Sequence, residues 1–243
     1  MEYKNHKIIE AVLALRFIPT SREWDITSFS EFYNRVKDKG FSNKKEIRPF
    51  ELSFKFNPKE PIEQPKKSEG EVQMVFKNQD ETYAIIYSRD YVSFHSLKGY
   101  NGWEILKEEL VNPIMEIYFE LNGSSKISSA QMIYINRFDI GLTENLSEIL
   151  TFLPNSQYFE AGEEVSHLFQ SNYKIAPNKN LKLQTILKID PKTNKKIISL
   201  ECNCVSEANN FSDDWVKLSE DAHDNAKKSF FDITTSIFKE KIK

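Results

Sequence analysis

Ala130-Gln-Met-Ile-Tyr-Ile-Asn-Arg-Phe-Asp-Ile-Gly141 is the stretch on which the reading of this chain turns. Taken alternately, Met132, Tyr134, Asn136, Phe138 and Ile140 point to one side of an extended segment, and Ile133, Ile135, Arg137 and Asp139 to the other. Both sides are mostly apolar, which predicts a strand covered on both faces and running through the middle of a sheet. Arg137 sits among those hydrophobes, and a buried guanidinium needs either a paired acid or an anionic ligand.

Working outward, Lys7 to Ile18 alternates in the same way and stops at Pro19. Ile26, Phe29, Phe32, Tyr33 and Val36 then recur at helical spacing up to Gly40, predicting a helix over 24–39. Phe50 to Phe56 alternates as a half-buried strand, while 57–70, with three prolines and several charges, reads as a surface loop. Val72 to Lys77, Tyr83 to Ser88 and Tyr91 to Leu97 form a meander with tight turns. Asn101 precedes the stripe Trp103, Leu106, Leu110, Ile114, Ile117 and Tyr118, a helix bent at Pro113 and ended by Gly123. Beyond the central strand, Glu144 to Leu153 predicts a short helix. Val165 to Ile175, Leu181 to Ile189 and Lys196 to Cys204 predict three strands, the last two joined by the turn Asp190-Pro-Lys-Thr-Asn-Lys195. Ser212-Asp-Asp214 caps a last helix with the stripe Trp215, Leu218, Ala222, Ala226, Phe230, Ile233 and Ile237.

Strand, helix, meander, helix therefore occurs twice, over residues 1–125 and 126–243. Arg16-Phe17 falls where Arg137-Phe138 falls, and Trp103/Leu106 opens its helix as Trp215/Leu218 does. The expectation is an α+β protein of two similar halves related by a pseudo-twofold, each half closing with a long helix on a curved antiparallel sheet. This layout resembles the TATA-binding-protein-like and helix-grip folds, a likeness of architecture that carries no function.

Three stretches resemble a known family. His6-Lys-Ile-Ile-Glu-Ala-Val-Leu-Ala-Leu-Arg-Phe17 is similar to its P-I-x-E-A-V opening strand, with Lys7 in place of proline. Tyr134-Ile-Asn-Arg-Phe-Asp139 is similar to its Y-I-N-R central strand, with Ile133 in place of arginine. Leu218-Ser-Glu-Asp-Ala-His223 and Phe231-Asp-Ile-Thr-Thr235 resemble its closing helix. The family is a sporadically distributed group of bacterial proteins of about this length; the resemblance spans the whole chain and brings no mechanism with it. Its distribution implies a defence or toxin-neutralising locus as a setting.

With 243 residues, a net charge of −3 and no basic excess, the composition is that of an ordinary globular chain and weighs against a dedicated nucleic-acid binder. No run is apolar enough for a membrane helix and no signal segment opens the chain, so the expected compartment is the cytoplasm. Cys202 and Cys204 would lie about 6.6 Å apart on one strand, favouring reduced thiols. No phosphate loop, nucleophile elbow or zinc-protease motif occurs, and no cofactor is expected.

The candidate ligand-binding residues are Arg16 and Arg137, expected near the pseudo-dyad, together with Asn136 and His223. The expected function is non-enzymatic binding of a protein partner, a second copy or a small ligand. One alternative is an enzyme or small-anion-binding protein using a pocket with Arg16 and Arg137. The other is nucleic-acid binding through the hairpin lysines Lys179, Lys182, Lys192, Lys195 and Lys196, helped by Lys44, Lys45 and Arg48.

Overall fold

The computed structural model describes residues 7–18, 27–48, 50–53, 66–69, 71–123, 126–140, 149–151, 166–190, 193, 195–212 and 214–241. In chain order these form β1 (Ile8–Phe17), α1 (Thr27–Lys37), β2 (Asn43–Ile47), β3 (Phe50–Ser53), β4 (Lys66–Glu69), β5 (Gln73–Lys77), β6 (Tyr83–Ser88) and β7 (Tyr91–Ser96). There follow α2 (Trp103–Leu106), a π-helical turn (Lys107–Val111), α3 (Asn112–Asn122), β8 (Ile127–Ile140), β9 (Ser166–Ala176), β10 (Lys179–Asp190), β11 (Lys195–Ser212), α4 (Trp215–Ile233) and α5 (Ser236–Lys241).

Nine strands make one sheet in the order β2-β5-β6-β7-β1-β8-β11-β10-β9, antiparallel throughout, and β3 and β4 pair separately. β8 occupies the interior position expected of it, between β1 and β11. Alternation sorts its side chains: one row crosses all nine strands as Lys44, Phe76, Ile85, Phe94, Leu13, Met132, Cys204, Leu181 and Tyr173. From Phe76 to Leu181 that row is buried, because α1, α2–α3 and α4 lie on this face. Phe32 of α1 stacks on Tyr87 with ring centroids 4.0 Å apart, and Tyr118 of α3 stacks on Phe17 at 4.7 Å. A smaller cluster joins Phe138, Leu183, Leu187, Ile198 and Leu200 to Phe238 of α5.

The structure differs from several of these expectations. The second face of β8, with Ile133 and Ile135, is half-buried rather than fully covered; among the described residues no helix packs on it. Small neighbours on that side, such as Ala14 and Ser93, keep the face shallow. β2 was not foreseen, because Asn-Lys-Lys-Glu-Ile at an open edge has no apolar alternation to read. Lys66–Glu69, read as loop, is instead a strand paired to β3; 54–65 and 70 lie outside the described residues. Of the helix expected over 144–153 only 149–151 are described, and there Leu150 bridges to Thr234. That bridge also ends α4: Thr234 turns extended (φ −92, ψ 142), the stripe breaks, and Ile237 faces solvent while Phe238 is buried.

Pro113 acts through hydrogen-bond register. It lacks an N–H and crowds the carbonyl four residues back, and the turn before it opens to π geometry, with the Asn112 N–H bonding the Lys107 carbonyl. At the start of α4 the Asp214 carboxylate accepts from the Lys217 N–H at 2.9 Å. Asp214→Ala removes this cap and lowers the urea unfolding free energy by about 1 kcal/mol with no change in m-value.

Candidate functional site

The four residues singled out from sequence do not come together. Arg16 stands opposite Ser129 and Arg137 lies just past Asn136, so they occupy opposite ends of the β1–β8 ladder, about 26 Å apart along the strand. Both are exposed: Arg16 lies 4.9 Å above the Tyr91 ring, and Arg137 Nε is 3.5 Å from Asp139 Oδ1. The expected arginine pair at a central dyad is thus absent, because register places equivalent positions at opposite ends. Asn136 is on the helix-covered face, buried between Tyr134 and Phe138, and its Nδ2 meets no acceptor. Thr185, in the same row two strands away across Leu200, likewise has an unpaired hydroxyl.

His223 of α4 is buried at the junction of the helices with β8. The Trp103 ring lies parallel to the imidazole, centroids 4.7 Å apart, and Tyr134 Oη is 2.6 Å from His223 Nδ1, with Tyr100 Oη 2.9 Å beyond it. Burial pushes His223 down to about 4 and outweighs the attraction of nearby Asp224, so the ring is neutral at pH 7. Burial also holds the Tyr134 phenol far above its usual range. With the ring neutral, Tyr134 O–H donates to Nδ1 in the Nε2–H tautomer and accepts from Nδ1–H in the other. Beside this chain, Glu220 accepts from Trp103 Nε1 at 2.7 Å and from Lys107 Nζ. Burial opposes ionisation of Glu220, but the Lys107 and Trp103 hydrogen bonds prevail and keep it a carboxylate. Tyr100, Tyr134 and His223 are each nearly sealed from solvent, so no substrate reaches the imidazole; the cluster clasps α2, the π turn and α4 onto β8.

The helix-free face carries a different arrangement. His95 Nδ1 is 3.2 Å from Glu10 Oε1, and Ser93 Oγ is 2.9 Å from His95 Nε2. On the far side of the β1–β8 seam, Gln131 Nε2 donates to Asn203 Oδ1 at 2.9 Å, Asn203 Nδ2 donates to Glu201 Oε1 at 3.2 Å, and Lys182 Nζ lies 3.2 Å from the same oxygen. Serine, histidine and carboxylate in sequence are the parts of a nucleophilic relay, but Ser93 is fully buried and its Oγ cannot meet a substrate carbonyl. The second relay is made of amides and an ion pair and opens onto a groove of about 420 Å³. This groove is lined by Gln131, Asn172, Tyr173, Lys174, Asn180, Leu181, Lys182, Asn203 and Val205. Neither relay was read from sequence. Ser93-x-His95 and Glu201-x-Asn203 are alternate positions on one strand face, but the residues completing them, Glu10 and Gln131, become neighbours only through strand register.

The lysines counted as a hairpin cluster do not form one patch. Lys179 pairs with Asp221 at 3.2 Å and Lys182 with Glu201, at one end of β10; Lys195 and the buried Lys196 lie at the other end, and Lys192 is outside the described residues. In the first half Lys44 lies 4.1 Å over the Tyr33 ring and Arg48 is 3.1 Å from Glu46. Cys202 and Cys204 are buried free thiols on the helix-covered side, and burial pushes Cys204 up to about 11. Among the described residues no three His, Cys, Asp or Glu side chains are grouped to hold a metal, and no helix is long and apolar enough to cross a membrane.

No family model and no curated protein matches the chain. Among solved structures, the crystal structure of a di-domain ARO/CYC from the steffimycin biosynthetic pathway is similar over 91% of this chain and 96% of that one. Its identity to this chain is 5% and the TM-score 0.17, a likeness too slight to carry an argument about fold or activity.

Two measurements probe the buried polar groups. His223 titrates near 6.5 when unfolded and near 4 when folded, so its contribution is fully present above about pH 6.5 and is lost as pH falls through about 4. The loss is on the order of 3 kcal/mol. His223→Gln removes that part of the acid dependence, read as a smaller difference in urea midpoint between pH 7 and pH 4.5. Asn136→Leu deletes an unpaired amide and is neutral or stabilising by about 1 kcal/mol in the same assay; a loss above about 2 kcal/mol would mean that the amide is satisfied.

Proposed function

We propose that this chain is a non-enzymatic binding protein whose recognition surface is the helix-free face of the sheet, with its ligand seated in the groove over β8, β11, β10 and β9. The observation that supports this is the lining of the groove. Four carboxamides, on Gln131, Asn172, Asn180 and Asn203, converge with the ammonium groups of Lys174 and Lys182 above the apolar floor of Val205. Carboxamides donate and accept, so they fix the orientation of a polar ligand, and the volume falls within the range of small-molecule sites. Lys182 is held by Glu201, whereas Lys174 has no ionic partner among the described residues and is placed to meet a negative group. A small polar anion, or the acidic side chain of a partner, fits that chemistry.

The same reading treats the chain as an internal duplication of the TATA-binding-protein-like or helix-grip kind. Setting Arg16 against Arg137 makes Val12 the counterpart of Ile133, and these two pair directly. Ala11 and Leu13, counterparts of Met132 and Tyr134, pair as Ala11 with Tyr134 and Leu13 with Met132, as a twofold through the Val12–Ile133 pair requires. Under the same correspondence Glu10, His95 and Ser93 become the counterparts of Gln131, Asn203 and Glu201, so the two relays are one inherited feature in two chemistries. The half with the amides carries the open groove.

Native mass spectrometry of the purified chain tests the binding reading by finding a retained small molecule or partner. Lys174→Ala weakens its retention at least about tenfold, the loss of one charge-assisted hydrogen bond, while leaving the unfolding midpoint nearly unchanged; Asn203→Ala weakens retention too and also lowers the midpoint, because Gln131 and Glu201 lose their shared partner. Retention indifferent to both substitutions would place the ligand elsewhere.

A further inference from the structure

The two edges of the nine-stranded sheet are built differently. β2 is five residues long, carries Lys44, Lys45 and Glu46, and is the kind of short, charged edge that discourages further pairing. β9 is eleven residues long, carries Lys174 as its one permanently charged side chain, and among the described residues pairs on one side only, with β10. Leu168 is 70% exposed, and Tyr173, Ile175 and the neighbouring Ile186 of β10 are also open, so half of the large exposed hydrophobics among the described residues collect on or beside this edge. Such an edge offers a row of unsatisfied backbone groups and invites another strand.

We propose that a second copy of this chain fills it, β9 pairing antiparallel with the partner's β9 so that the two sheets become continuous. A twofold normal to the sheet keeps side chains on their own faces only if some residue meets its own copy. Centring on Ser171, the midpoint of β9, pairs all eleven residues. Phe169 then faces the partner's Tyr173, Gln170 faces the partner's Asn172, and Leu168 faces the partner's Lys174. The register suits this strand: its single lysine meets leucine rather than another lysine, the aromatics pair across the seam, and Leu168 packs on the methylene stem of the lysine. The strip is about 35 Å long and about 10 Å deep, so a pair of them buries about 700 Å², short of the roughly 1,000 Å² of stable specific interfaces and in the range of weak, transient ones. The association is accordingly a micromolar one.

The test is a charge pair placed by that register, on the full chain, read by native mass spectrometry and sedimentation from about 1 to about 100 µM. Wild-type protein passes from monomer to dimer across this range. Leu168→Lys sets two lysine pairs across the seam and raises the dissociation constant at least tenfold. Leu168→Glu sets two lysine–glutamate pairs and keeps the dimer, now weakened by salt. Leu168 is exposed and does not line the groove, so both variants fold, and ligand retention read on the monomer at about 1 µM, where no partner residue reaches Lys174, is unchanged, which separates this inference from the binding reading. A wild-type chain monomeric at about 100 µM overturns the proposal. So does equal weakening by lysine and glutamate, the signature of a patch without register, and so does a Leu168→Lys dimer as tight as wild type.

Discussion

Every other contact in this molecule depends on the antiparallel ladder between β1 and β8, which runs from Ile8 opposite Asn136 to Phe17 opposite Ile127. Without it the sheet separates into two pieces, each with a raw apolar edge where Leu13 and Met132 now meet. Its register is tightly specified. A slip of one residue would turn Leu13, Leu15 and Phe17 away from the helices and bring Arg16 in against α3, exchanging several buried hydrophobes at about 1.5–3 kcal/mol each for an unpaired charge. Apolar burial on the helix side fixes the alignment, and the polar relays on the other side follow from it.

The helices are tied across the same seam by Trp103, Lys107, Glu220, His223 and Tyr134. Its stacked and hydrogen-bonded geometry resembles that of a reactive centre, and burial decides between the two roles. At physiological pH the histidine, held near 4 by burial, is neutral, and the tyrosines, raised by burial, keep their protons, so neither carries charge. The perturbation follows from desolvation in a packed core and marks no chemistry here. In the groove, by contrast, six residues carry polar ends around an apolar floor. Access separates the two: the clasp is sealed, and the groove is open.

The strands that alternate cleanly were legible in the sequence because one face is buried by helices. The strands expected over Lys7 to Ile18, over Tyr83 to Ser88 and from Ala130 onward are present for that reason as Ile8–Phe17, Tyr83–Ser88 and Ile127–Ile140. The stripe of Trp103, Leu110, Ile114 and Tyr118 likewise gave its helix. What escaped was decided by tertiary partners. β2 is polar on both faces and exists by pairing with β5; α4 stops at Thr234 because Leu150 bridges there; Arg137, apolar in its sequence neighbourhood, points out at the open end of the ladder. Asn136 was correctly read as buried, since its neighbours in the alternation are aromatic. The relays were illegible for a different reason, because each joins residues on strands far apart in sequence and depends on knowing which residue stands opposite which.

The seam has a temporal side. β1 leaves the ribosome well before β7, which pairs with one of its edges, and earlier still than β8, which pairs with the other. Contacts so distant along the chain are slow to close, since the intervening loop must lose its freedom before any pairing rewards it. During synthesis the inner edge of β1, with Leu13 and Leu15, therefore waits uncovered while more than a hundred residues are added. At about 5–20 residues per second that wait lasts several seconds. For that interval this nascent chain offers an unpaired apolar strand, and its yield in the cell is governed by whatever shields that strand until its mate arrives.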